Sequence, residues 1–97
     1  MHQLTPAQIT QWIEGGHDFV LIDVREAWEH EAFSIGGVLM PMGEIPSRLS
    51  EIPRDKEVVL YCEKGIRSVI AIQRLETLGF TNLINLAGGM KAWREAQ

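Results

Sequence analysis

Apolar residues in this chain fall into short unbroken runs separated by stretches of helical periodicity. Phe19 to Ile22 and Val58 to Tyr61 are such runs, of strand length, and Leu83 to Leu86 gives another strand. Runs that do not alternate with polar residues are what a parallel sheet, covered by helices on both faces, requires. Leu4-Thr5-Pro6-Ala7-Gln8-Ile9 is a full helix start, with Thr5 as N-cap, Pro6 in the first position, Gln8 closing a capping box and Leu4 stapled to Ile9. Ile9, Trp12 and Ile13 share one face of that helix, and Gly15-Gly16 stops it. Asp23 and Glu26 have capping-box spacing and predict a short helix through Trp28 and Phe33. Gly36-Gly37 then leads into a strand from Val38 to Met40, ended by Pro41. Residues 41 to 57 hold three prolines and predict a short helix around Ile45 and Leu49 with irregular flanks. Val69, Ile72, Leu75 and Leu78 predict a helix over Ser68 to Leu78, with Gly79 as its stop. Ala87-Gly88-Gly89 opens a last helix with Met90 and Trp93 on one face. With a short first strand at His2 to Leu4, the order is β-α-β-α-β-α-β-α-β-α. That alternation predicts an α/β domain: a parallel sheet of about five strands with right-handed crossovers and helices on both faces.

Composition narrows the function classes. Ninety-seven residues, 45% of them hydrophobic, are enough for one core, so residues 1–97 are read as a single domain. A formal charge of −4 without a basic stripe argues against nucleic acid as a partner. No stretch approaches the roughly 20 apolar residues of a membrane span, and the N-terminus lacks a basic segment followed by an apolar run, so a cytoplasmic protein without a membrane partner is expected. The single cysteine excludes an intramolecular disulfide, and no Cys/His spacing suggests zinc. No metal or other cofactor is expected.

That cysteine is the most informative residue. Residues 58 to 68 read Val-Val-Leu-Tyr-Cys-Glu-Lys-Gly-Ile-Arg-Ser, which places Cys62 where a buried parallel strand hands over to a helix N-terminus. Backbone N–H groups are unpaired there and the helix dipole presents partial positive charge. Helix N-termini and neighbouring cations favour the thiolate, and Lys64 and Arg67 are such cations. The carboxyl end of a parallel strand is also where open α/β sheets place their ligands. A small buried hydrophobe is the alternative reading, but it has no need of a glycine three residues on or of two cations within five. Cys62 is therefore read as a nucleophile. Residues Glu63, Lys64, Gly65, Ile66, Arg67 and Ser68 are read as the substrate-binding loop, short enough to turn successive N–H groups toward the sulfur as an anion-binding nest. Gly65 supplies any backbone angle a side chain would forbid. Lys64 offers a point charge for an oxyanion, and Arg67 either binds the donor or lies on the rim. Ser68 is read as the helix cap, with its hydroxyl also in reach of the sulfur. Asp23 and Arg25 follow a strand end near the pocket and are read as a buried ion pair fixing the loops.

Three segments carry a family resemblance: Cys-Glu-Lys-Gly-Ile-Arg-Ser at 62 to 68, Leu-Ile-Asp-Val-Arg-Glu at 21 to 26, and Leu-Ala-Gly-Gly-Met-Lys-Ala-Trp at 86 to 93. In their order and spacing the chain resembles a single-domain rhodanese, a thiosulfate sulfurtransferase, over nearly its whole length. Two positions depart from the family pattern: Ser34, where a histidine often precedes the Ile-Gly pair, and Glu63, an acidic residue directly after the nucleophile. The resemblance implies ping-pong chemistry. Cys62 attacks the outer sulfur of thiosulfate, sulfite leaves, and the resulting persulfide passes its sulfur to cyanide, a small thiol or a thioredoxin-like protein. Two rival functions stay open. A phosphatase or arsenate reductase also uses a strand, a Cys-Arg loop and a helix, although its motif encloses five residues where Cys62 and Arg67 enclose four. A persulfide-carrying or regulatory binding module is the other rival.

Overall fold

The first helix forms because its ends are provided for. In the computed structural model, which describes residues 1–97, α1 (Pro6–Glu14) starts with the Thr5 hydroxyl accepting the Gln8 N–H. The Gln8 side chain in turn accepts the Thr5 N–H at 2.9 Å. Leu4 and Ile9 meet in one apolar cluster, which completes the staple. Ile13, expected on the buried face, is instead exposed, because the helix meets the sheet through Ile9 and Trp12 alone.

Five strands make one sheet: β1 (Gln3–Leu4), β2 (Phe19–Asp23), β3 (Val38–Leu39), β4 (Glu57–Tyr61) and β5 (Leu83–Leu86). Their order is β1-β5-β4-β2-β3 and every pairing is parallel. The remaining helices are α2 (Ala27–Ala32), α3 (Ile66–Glu76) and α4 (Gly89–Glu95). Strand β4 lies in the middle, so both its faces must be covered. Val58 and Leu60 join the core cluster that holds Ala71, Ile72 and Leu75 of α3. Val59 and Tyr61 point the other way, into the cluster of Ile9 and Met90. Side chains alternate along a strand. One residue past β4, that alternation carries Cys62 onto the α3 face, where it belongs to the same cluster as Ile72.

Three expectations about elements need correction. The helix expected around Ile45 and Leu49 is two 3-10 turns, Met42–Ser47 and Leu49–Glu51, since Pro46 has no N–H to continue an α-helical ladder. Helix α2 does not open on an Asp23–Glu26 box. Asp23 still belongs to β2 and its carboxylate is taken by Arg25, so Glu29 accepts the Glu26 N–H instead, at 3.0 Å. Helix α3 starts at Ile66, two residues before Ser68, with Gly65 as its N-cap, and it ends at Glu76. Gly79, at φ +91, then turns the chain so that the Phe80 N–H returns to the Leu75 carbonyl and Leu78 is left exposed. No helix is long and apolar enough to cross a membrane.

Candidate active site around Cys62

Cys62 is buried at the carboxyl end of β4. The Gly65 N–H points to its Sγ at 3.1 Å and the Ser68 N–H at 3.4 Å. Those contacts come from the turn and first turn of α3, whose unpaired N–H groups have no earlier carbonyl to reach. Gly65 makes the turn possible: its φ of +86 is a left-handed angle that side chains rarely adopt. N–H groups directed at a sulfur in this way stabilise negative charge that develops on it.

Ser68 is the third residue of α3 rather than its cap. Its hydroxyl lies 3.3 Å from Sγ and 2.5 Å from Asn85 Oδ1, while Asn85 Nδ2 donates to Gln3 Oε1. A hydroxyl has a single proton to give. With that proton on Asn85, Ser68 accepts from the thiol form of Cys62; turned round, it donates to the thiolate.

The loop is fixed from behind by α4. The Met90 N–H donates to the Cys62 carbonyl and the Lys91 N–H to the Glu63 carbonyl, each at 2.9 Å. Pointing the carbonyls at α4 leaves the N–H sides of the loop free to face the sulfur. Gly89 lets the two segments approach this closely, for a Cβ there would lie 2.4 Å from the Cys62 carbonyl oxygen.

A buried ion pair braces the second loop. Arg25 and Asp23 are almost wholly buried; Arg25 Nη2 lies 2.9 Å from Asp23 Oδ2 and its backbone N–H 3.0 Å from Oδ1. His30 Nδ1 adds a contact to the same carboxylate at 2.8 Å. Burial pushes the Asp23 carboxyl up, but hydrogen bonds from Arg25 and His30 outweigh it and hold the group below the usual carboxylate range. Arg25 also donates to the Phe33 carbonyl at 2.6 Å and reaches Glu63 at 3.4 Å. Glu63 is gripped on its other side by Arg94 and does not pair with Lys64.

Arg67 is fully engaged. Its two terminal nitrogens each lie 2.8 Å from an oxygen of Glu29, a bidentate pair. That hydrogen bonding pulls the Glu29 carboxyl down to about 2. The mouth above the sulfur is lined by Glu29, Glu63, Lys64, Ile66 and Arg67. Lys64 is the cation there without a carboxylate partner, and Ile66 is exposed at the rim.

All seven loop residues expected at the site thus gather around one sulfur, with Asp23 and Arg25 bracing the loop through Glu63. Glu29, Asn85 and Arg94 were not foreseen. Asn85 had a signal, a polar residue inside an otherwise apolar strand run. Glu29 and Arg94 had none, since they meet Arg67 and Glu63 across 38 and 31 positions of sequence.

Comparisons with known proteins bear on the family and the fold. The rhodanese-like domain family matches residues 5–96. A protein of Mycobacterium tuberculosis named "Probable adenylyltransferase/sulfurtransferase MoeZ" is 37% identical over 93 residues, which cover 93% of this chain but only 24% of that relative's length. A protein of Allochromatium vinosum named "Sulfurtransferase" is 36% identical over 94 residues, covering 96% of this chain and 88% of its own. Among solved structures, a rhodanese-related protein from Thermoplasma volcanium superposes with a TM-score of 0.87 at 28% identity, covering 99% of this chain and 93% of the other. With a parallel sheet, a cysteine at the end of its central strand and that match over nearly every residue, this chain belongs to the rhodanese-like domain family.

Proposed function

We infer that the protein is a sulfurtransferase in which Cys62 takes the outer, sulfane sulfur of a donor such as thiosulfate and hands it to a thiophilic acceptor, cyanide in an assay or a thiol. The observation that carries this reading is the pair of N–H groups, from Gly65 and Ser68, directed at Sγ under the first turn of α3. Attack by the thiolate on thiosulfate forms the Cys62 S–S bond and breaks the donor S–S bond, so the electron pair leaves with sulfite. The persulfide carries the remaining negative charge, which the same N–H groups stabilise. Residues Glu63 to Ser68 form the donor site, and no metal or organic cofactor enters the scheme. The names of relatives such as the Allochromatium vinosum sulfurtransferase support the reaction class.

Initial-rate kinetics with thiosulfate and cyanide test this. A persulfide intermediate predicts parallel double-reciprocal lines, and an aryl phosphate is expected to remain unhydrolysed, since four residues between Cys62 and Arg67 make a small ring. Ready aryl phosphate hydrolysis without sulfur transfer would assign the site to phosphate chemistry. Removing the charge of Lys64 in Lys64→Ala is expected to cost about ten- to a hundredfold in kcat/KM for thiosulfate, the value of one charge-assisted hydrogen bond. The acceptor half-reaction should change less, and equal losses in both halves would make Lys64 structural.

A further inference from the structure

The carboxylates around the sulfur define what kind of donor the site accepts. A pocket built for a dianion should leave its arginine free to make a bidentate contact. Here Arg67 already makes one, to Glu29 at 2.8 Å through both oxygens. Glu29 is itself largely buried, with only 11% of its side chain exposed. Glu63 contributes a second carboxylate to the same mouth and is held by Arg94 and Arg25. The lining therefore carries two cations and two anions. A dianionic donor meets one uncommitted cation, Lys64. Beside this mouth, and sharing Glu29 and Glu63 with it, lies a second depression that includes Trp28 and Phe33. These residues are 71% and 46% exposed. An organic group is suited to that shelf and sulfite is not.

The geometry points to Glu29 as a specificity-determining residue: by occupying Arg67 it makes the site select a sulfane sulfur carried on an organic thiol, an alkyl persulfide, over dianionic thiosulfate. This rests on the sulfurtransferase reading above and names the donor class for it. The thiolate of Cys62 attacks the outer sulfur of R–S–SH. The new S–S bond forms as the donor S–S bond breaks, and the electron pair departs on R–S⁻, leaving Cys62–S–SH; charge and atoms balance with no external oxidant. The leaving group then bears one negative charge instead of the two of sulfite. The hydrogen bonds from Arg67 hold the Glu29 carboxyl well below the usual carboxylate range, so both partners of the pair are charged at neutral pH.

The test compares kcat/KM for thiosulfate and for a freshly generated alkyl persulfide in the natural protein, in Glu29→Gln and in the double variant Glu29→Gln, Arg67→Gln. Freed of its partner, Arg67 should raise the thiosulfate-to-persulfide ratio about ten- to a hundredfold in Glu29→Gln, and the double variant should lose that gain. A ratio unchanged or lowered in Glu29→Gln overturns the proposal. Glu29→Asp, which keeps the charge but shortens the arm, should shift the ratio in the same direction by less; it serves as the deciding variant if Glu29→Gln fails to fold. Should neither donor load Cys62, the sulfurtransferase reading fails by itself. Calorimetric titration of thiosulfate into Cys62→Ser, with and without Glu29→Gln, then still decides the role of Glu29: tighter binding without the carboxylate supports it, and equal or weaker binding refutes it.

Discussion

Replacing Cys62 with serine should lower sulfur transfer by at least about a thousandfold while the protein stays folded. The expectation follows from what the site supplies and what it does not. Two N–H groups and the start of α3 can stabilise an anion on residue 62. No side chain within hydrogen-bonding distance of Sγ other than Ser68 could take a proton from it, and Ser68 is no base. The reaction therefore depends on a nucleophile that attacks without a neighbouring base, which sulfur does far more readily than a hydroxyl oxygen. Serine fits the cavity and can accept the same N–H groups, so the stability cost should stay near 1 kcal/mol, within the ordinary range for a single substitution. Cyanolysis of thiosulfate measures the first effect and thermal unfolding the second. Near-normal turnover in a folded Cys62→Ser protein would remove Cys62 from the chemistry.

The second large effect is expected at a residue that never touches the sulfur. Gly89 has φ +63, and an added Cβ would lie 2.4 Å from the Cys62 carbonyl oxygen and 2.7 Å from the carbonyl carbon and oxygen of Glu63. These are backbone atoms and cannot swing aside. Gly89→Ala must therefore push α4 away from the loop, and the Met90 and Lys91 N–H bonds to those carbonyls lengthen or break. Backbone strain and two weakened hydrogen bonds together suggest a loss of about 2–4 kcal/mol, or roughly 10 °C or more in Tm for a domain of this size. Activity should fall further than stability accounts for, since displacing the N–H groups by even about 1 Å can cost on the order of a hundredfold. Gly43→Ala is the control: an added Cβ there meets nothing within 4 Å, and neither Tm nor activity should move appreciably. A Gly89→Ala protein as stable and active as the natural one would show that α4 does not hold the loop.

The parts of this molecule legible in the sequence are those set by local chemistry. Thr5, Pro6 and Gln8 specify the start of α1 without reference to anything else, and the structure has that start. The runs at Phe19 and Val58 required burial on both faces, which a parallel sheet provides. Sequence and structure part where a second partner or cap stood close by. Asp23 had the spacing to cap α2, but the guanidinium of Arg25 and the ring of His30 claimed its carboxylate. Ser68 was a credible cap, yet Gly65 could take the left-handed angle and start α3 two residues earlier, which freed the Ser68 side chain for Cys62 and Asn85. The site followed the same division. Its nucleophile and loop are contiguous and readable. The ion pairs that set its charge, Glu29 with Arg67 and Glu63 with Arg94, join segments brought together only by the fold.

Mass spectrometry of the intact protein after brief exposure to a sulfane donor, thiosulfate or an alkyl persulfide, tests the central claim most directly. Persulfide formation predicts a gain of about 32 Da, one sulfur atom, located on Cys62, removed by a reductant or by cyanide, and absent in Cys62→Ser. An unchanged mass with both donors, or an equal gain in Cys62→Ser, would contradict it.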